Sequence, residues 1–172
     1  MVQRLLFILF LFFLFLIEGT WMQWIVPDVW GADWTFIPAL SLVAIILISV
    51  TFGVNHGVMY GVVFGLMHDL AFGHIIGGYI FSFAFVAYFS GQFMKQFHPH
   101  NVLVIFTALV GVALQILIIF GLYRLFGVTQ MEFKWMAYRV LLPSLVLNGL
   151  FTILLLFPLK RWFAKMGVSV ED

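Results

Sequence analysis

Gly53-Val-Asn-His-Gly57-Val-Met-Tyr-Gly61-Val-Val-Phe-Gly65-Leu-Met-His-Asp69-Leu-Ala-Phe-Gly73-His-Ile-Ile-Gly77 carries a glycine or an aspartate at every fourth position over 25 residues. On an α-helix, fourth-residue spacing drifts only about 40° per step, so these residues form a bare, slowly winding groove. Glycine inside a helix costs about 1 kcal/mol relative to alanine, so several in register need a compensating contact. In a bilayer that contact is the close backbone approach of a second helix. Gly53, Gly57, Gly61 and Gly65 therefore read as a helix-packing face, filled either from within the chain or by another protein.

The composition places this helix in a membrane. Of 172 residues, 65% are hydrophobic and 9% charged, with mean hydropathy +1.17. A soluble domain carries roughly 25% charged residues. The net charge of +1 gives no basic face for nucleic acid. With no cysteine there is no disulfide, thiol nucleophile or thiolate metal site.

The apolar runs are Leu5–Ile25, Phe36–Val54, Val58–Phe72, Ile75–Met94, Val102–Phe126 and Val140–Leu159. A spanning helix needs about 20 residues, so six spans nearly exhaust the chain. The fold expected is all-α: a single integral membrane domain over residues 1–172, with six transmembrane helices in one compact bundle. No small-x-small cleavage site follows the first run, which reads as a retained helix rather than a signal peptide. The third and fourth runs, divided by Gly73-His74, form a tight hairpin.

Lysine and arginine near the span ends set the orientation. With the N-terminus inside, Arg4, Lys95, Lys160, Arg161 and Lys165 are cytoplasmic, against Arg124, Lys134 and Arg139 outside. Glu18, Asp28, Asp33, Asp69 and Glu132 then fall toward the outer side. Trp21, Trp24, Trp30, Trp34 and Trp135 cluster around the outer loops and Trp162 lies at the inner edge, as indole prefers the headgroup level.

Few polar residues lie within the spans. An acid in a span needs a partner or water. Asp69 reads either as a hairpin residue accepting backbone hydrogen bonds or as part of an outer polar pocket. In that pocket Glu18, Asp69 and Arg139 would converge, with Arg139 or Arg124 answering the acids. Gln115 and Asn148 lie near mid-span on consecutive helices and are expected to bond each other. Pro143, near the start of the last span, shapes how the chain enters it.

No catalytic constellation emerges. The serines have no mid-membrane histidine beside them, and a His-Glu-x-x-His metal motif is absent. His56, His98 and His100 fall at the cytoplasmic edge, and His68 and His74 at the outer hairpin, with interfacial hydrogen bonding expected of all five. His68 and Asp69 are adjacent, and adjacent side chains on a helix do not face each other. Neither cofactor nor metal is expected.

The stretch Gly61 to Gly77, with its Gly-x3-Gly-x3-Asp core and glycine-containing hairpin, resembles the signature of the MreD family of rod-shape-determining proteins. Arg139-Val-Leu-Leu-Pro143, followed by Asn148 and a basic C-terminus, resembles that family's last helix. The resemblance covers the whole chain. It implies a non-enzymatic inner-membrane subunit of the elongasome, the complex that inserts peptidoglycan along the side wall of rod-shaped cells. The implied partner is the single-pass protein MreC, and through it MreB, the RodA glycosyltransferase and a class B penicillin-binding protein. Membrane lipid is a further partner, as is a second copy of the chain within the complex.

The alternative is a substrate-capturing S-component of an energy-coupling-factor vitamin transporter, also built from six helices. Such subunits dock through small-residue motifs on the first helix, whereas Leu5–Ile17 contains only Leu, Phe and Ile. A third reading, an assembly chaperone or lipid-binding scaffold, shares every feature of the first.

Overall fold

The computed structural model describes residues 2–25, 34–97 and 100–165. Asp28, Trp30, Asp33, His98 and the tail from residue 166 lie outside them. Among the described residues the chain is all-helical, with α1 (Val2–Ile25), α2 (Leu40–Phe52), α3 (Val54–Phe72), α4 (Gly78–Met94) and α5 (Asn101–Leu125). A short α6 (Phe133–Met136) continues through one π-helical turn (Ala137–Leu141) into α7 (Leu142–Lys165). Asn101–Leu125 and the composite Phe133–Phe163 are each long and apolar enough to cross a membrane.

Helix α2 is the centre. Every residue from Leu40 to Ser49 is buried, and α1, α3, α4, α5 and α7 all pack against it. A helix that is apolar all round belongs inside a bundle. By contrast, α1 buries one stripe, Phe7, Leu11, Leu14 and Glu18, against α2 and parts of α3 and α7, while Leu9, Phe13 and Leu16 face outward. That stripe repeats at helical spacing, so one side of α1 is committed to the core.

Helix boundaries shift from the sequence expectation at several ends, and two of the differences have a clear local cause. The second run is helical only from Leu40, and residues 34–39 are irregular. Pro38 donates no N–H and disfavours helix in the residue before it. Gly53 is not a rung of the packing face. It has φ +98° and by itself makes the reversal from α2 into α3, and a Cβ there would meet nothing within 4 Å. The positive φ explains the glycine, since other residues rarely adopt it.

Further along α3 the glycines face backbone. A Cβ on Gly61 would lie 3.0 Å from the Phe83 carbonyl oxygen, and one on Gly65 would lie 2.7 Å from the Ile80 Cα. Gly57 faces Ser49 of α2 in the same way. The described part of the groove is occupied by α2 and α4 of the same chain. Two glycines that the fourfold spacing did not single out act alike. Gly91 of α4 meets Ser49 and Val54, and Gly111 of α5 meets Ile46 and Val86. Ser49 ties this crossing together by donating its hydroxyl to the Ala87 carbonyl at 2.5 Å.

Candidate functional site

Two helices start at residues that cannot cap them, and each is capped by an acid from another helix. The first backbone N–H groups of any helix lack intrahelical partners. At the start of α4 the N-cap is Gly77, which has no side chain to offer. Asp69 of α3 supplies the acceptors: Oδ2 takes the N–H groups of Gly77 (2.9 Å) and Ile80 (3.0 Å), and Oδ1 takes that of Tyr79 (2.9 Å). At the start of α2 the N-cap is Ala39, again without a side-chain bond. There Glu18 Oε2 accepts from the Ser41 N–H (3.1 Å) and the Ser41 hydroxyl (2.8 Å). Negative charge at these ends is also favoured by the helix dipole.

His68 joins the two caps. Its Nδ1–H donates to the Phe64 carbonyl at 2.8 Å, which turns Nε2 toward Glu18 Oε1, 3.4 Å away. The ring sits among Phe15, Phe72, Tyr79 and Phe83, with the nearest centroids at 4.8 and 4.9 Å. With Nδ1 donating to Phe64, Nε2 lies buried beside the Glu18 carboxylate without a hydrogen bond among the described residues. His68 and Asp69, adjacent in sequence, face α1 and α4 respectively.

His68 was expected at the interface, and the structure buries it. A signal for this exists in the sequence: Phe64, Gly65, His68 and Asp69 extend the Gly57/Gly61 face at i+3 and i+4 steps, and all are buried. His74, by contrast, is exposed, with its ring 5.4 Å from that of Tyr123.

The expected convergence of Glu18, Asp69 and Arg139 is replaced by this arrangement. Among the described residues Glu18 meets Ser41 and His68, and Asp69 is met by backbone N–H groups. The guanidinium of Arg139 lies over the Trp135 ring, 4.4 Å from its centroid.

The expected bond between Gln115 and Asn148 is also replaced. Asn148 Oδ1 accepts from the Ala39 N–H (2.7 Å), and its Nδ2 donates to the carbonyls of Ile37 (2.7 Å) and Ser144 (2.8 Å). Both amide hydrogens of Asn148 are thereby used. Among the described residues, Gln115 Oε1 is buried without a hydrogen-bond partner. Ser144 completes the contact by accepting the Ile37 N–H at 2.9 Å. The polar residues of α7 thus serve the irregular backbone ahead of α2.

That backbone is extended. Thr35, Ile37 and Ala39 bond in turn to residues 139, 144 and 148. Nine helical residues rise about 13.5 Å. Spread over four residues of segment, this is roughly the 3.3 Å per residue of a strand. Segment and helix run in the same direction.

Among the described residues no group of three or more His, Cys, Asp or Glu side chains is placed to hold a metal ion. No curated protein and no solved structure matches the chain. The model of the family described as rod shape-determining protein MreD matches residues 3–166, nearly the whole sequence, and the chain belongs to that family.

Proposed function

We propose that this protein is a non-enzymatic scaffold of the rod-elongation machinery, embedded in the bacterial cytoplasmic membrane by six spans with both termini inside. The family match over residues 3–166 carries this reading: it makes the chain a cell-shape membrane protein. The finer assignment is contact with an MreC-like single-pass protein, and through it MreB, RodA and a class B penicillin-binding protein. The glycine groove is filled by the chain's own helices, so such a partner docks on an outward face, such as that of α1 with Leu9, Phe13 and Leu16.

The six-span arrangement is supported by length. Helix α2 is about 20 Å long, short of a hydrocarbon core of about 30 Å. The extended residues ahead of it supply the missing depth. Non-helical backbone at that depth is tolerated where its polar groups are satisfied by protein; here Pro38 and Ala39 are buried and the Thr35, Ile37 and Ala39 N–H groups are bonded to residues 139, 144 and 148. The transporter S-component alternative gains no support from the family match.

The test is depletion in a rod-shaped host, followed by complementation. Loss of rod width control and of side-wall insertion is expected, together with co-purification of a single-pass periplasmic protein. Cells that keep their shape would end the proposal. Single cysteines introduced into this cysteine-free chain map topology directly. Gly127→Cys should react from outside and Phe97→Cys only from inside.

A further inference from the structure

The extended segment 34–39 separates two hollows that lie on one of its faces. Alternate residues of extended chain share a face, which groups Trp34, Phe36 and Pro38. Trp34 forms a wall of a hollow of about 370 Å³ lined also by Lys134, Trp135, Tyr138 and Arg139. Phe36 and Pro38 form a wall of a slot of about 230 Å³ that continues along Leu147 and Phe151 of α7, with Leu14 and Ile17 of α1 opposite.

The two hollows differ in chemistry. The first combines two cations with three amphipathic rings, and Arg139 stacks on Trp135. Tryptophan and tyrosine of this kind sit at the headgroup level of a bilayer. The second is almost wholly apolar; its one acid, Glu18, is already engaged with Ser41 and His68. Arg139 of the π turn and Leu147 of α7, one in each hollow, are about 12 Å apart along the continuous helix. A cationic, ring-lined pocket followed at that distance by an apolar slot matches one molecule with an anionic head and a hydrocarbon chain. The head pocket is larger than a bare carboxylate needs.

We infer that this face binds a phospholipid of net negative charge, the phosphate at Lys134 and Arg139 and one acyl chain in the slot between α1 and α7. Two cations near a phosphate give charge-assisted hydrogen bonds, which are the strong ones. The lipid would wedge the Glu18 end of α1 against α7; at the opposite end the two helices meet directly through Phe7, Phe10, Trp162 and Phe163. This inference is independent of the proposed cellular role, because it concerns the purified chain.

The experiment uses the full-length protein in neutral detergent, with phosphatidylglycerol, phosphatidylcholine or inorganic phosphate added, read by thermal unfolding and by native mass spectrometry. Phosphatidylglycerol should raise the unfolding midpoint and remain bound at one per chain, while phosphatidylcholine and inorganic phosphate should not. Lys134 is exposed, so Lys134→Gln keeps the fold. It should weaken phosphatidylglycerol binding roughly tenfold, the range for one contact to a charged group. Leu147→Trp, which fills the slot, should abolish retention. Equal stabilisation by both lipids, or unchanged binding in Lys134→Gln, would overturn the inference. Protection by inorganic phosphate equal to that of the lipid would also overturn it, since the site would then be one for a soluble anion.

Discussion

The backbone carbonyl of Arg139 accepts the Thr35 N–H at 2.7 Å, and Pro143 is the reason it is available. In a regular helix that carbonyl would take the N–H of the residue four positions on, and proline has none. The proline ring also crowds the carbonyl four residues before it, and the chain relieves this with a π turn over Ala137–Leu141. Leu142 accordingly bonds back to Ala137, five residues away. The sequence reading of Pro143 as shaping the start of the last helix thus has a specific form. It hands a helix carbonyl to another segment, which Ser144 and Asn148 then hold in place.

Asn148→Ala should be among the most damaging single changes in α7. It leaves the buried Ala39 N–H and the half-buried Ile37 carbonyl without their partners, the first alone costing about 1–3 kcal/mol. The unfolding midpoint in detergent should drop clearly. Gln115→Leu removes an unpartnered buried oxygen and should be neutral or stabilising. A reversed order would mean that Asn148 does not hold the segment.

Asp69→Asn retains one oxygen acceptor but points an amide toward backbone N–H groups that a carboxylate now serves. A loss of about 1–3 kcal/mol is expected. Arg139→Gln should not restore it, because the two side chains serve different partners. In a double-mutant cycle their coupling should stay below about 0.5 kcal/mol. Clear rescue would bring back the ion pair between them.

Glu18 and His68 should couple strongly. Glu18→Gln and His68→Phe each leave the other partner buried in an aromatic surround, so the double variant should lose less than the sum of the singles. The expected interaction lies in the range of about 0.5–3 kcal/mol for contacting residues. Additive losses in thermal unfolding would show that the contact between Glu18 and His68 holds nothing together.

The glycines should separate into three classes when each is changed to alanine. Gly65→Ala drives a Cβ into the Ile80 backbone and should be severe. Gly53→Ala meets no neighbour but is held at φ +98°, at a cost of about 1–2 kcal/mol. Gly121→Ala meets open space within α5 and should gain up to about 1 kcal/mol from helix propensity. Equal tolerance of all three in a detergent stability assay would contradict the packing described.

The amino-acid sequence by itself determined the helices and the solvent they suit. Apolar run length, the fourfold glycine spacing and the scarcity of charge are local, one-dimensional properties, and they lead to an all-helical apolar chain with α3 against a neighbour. Tertiary structure alone decided which groups satisfy which. Glu18 meets Ser41 across 23 residues and Asn148 meets Ala39 across 109, so neither pairing leaves a periodic trace. Gly53 and Gly57 are equivalent rungs in the sequence, yet one is a turn at positive φ and the other a contact with Ser49, because backbone conformation has no side-chain signature in glycine. The same holds for the acids. Spacing places Asp69 and Glu18 toward one end of their helices. Which helix start each one caps depends on which helices lie beside it, and that follows from how the whole bundle closes around α2.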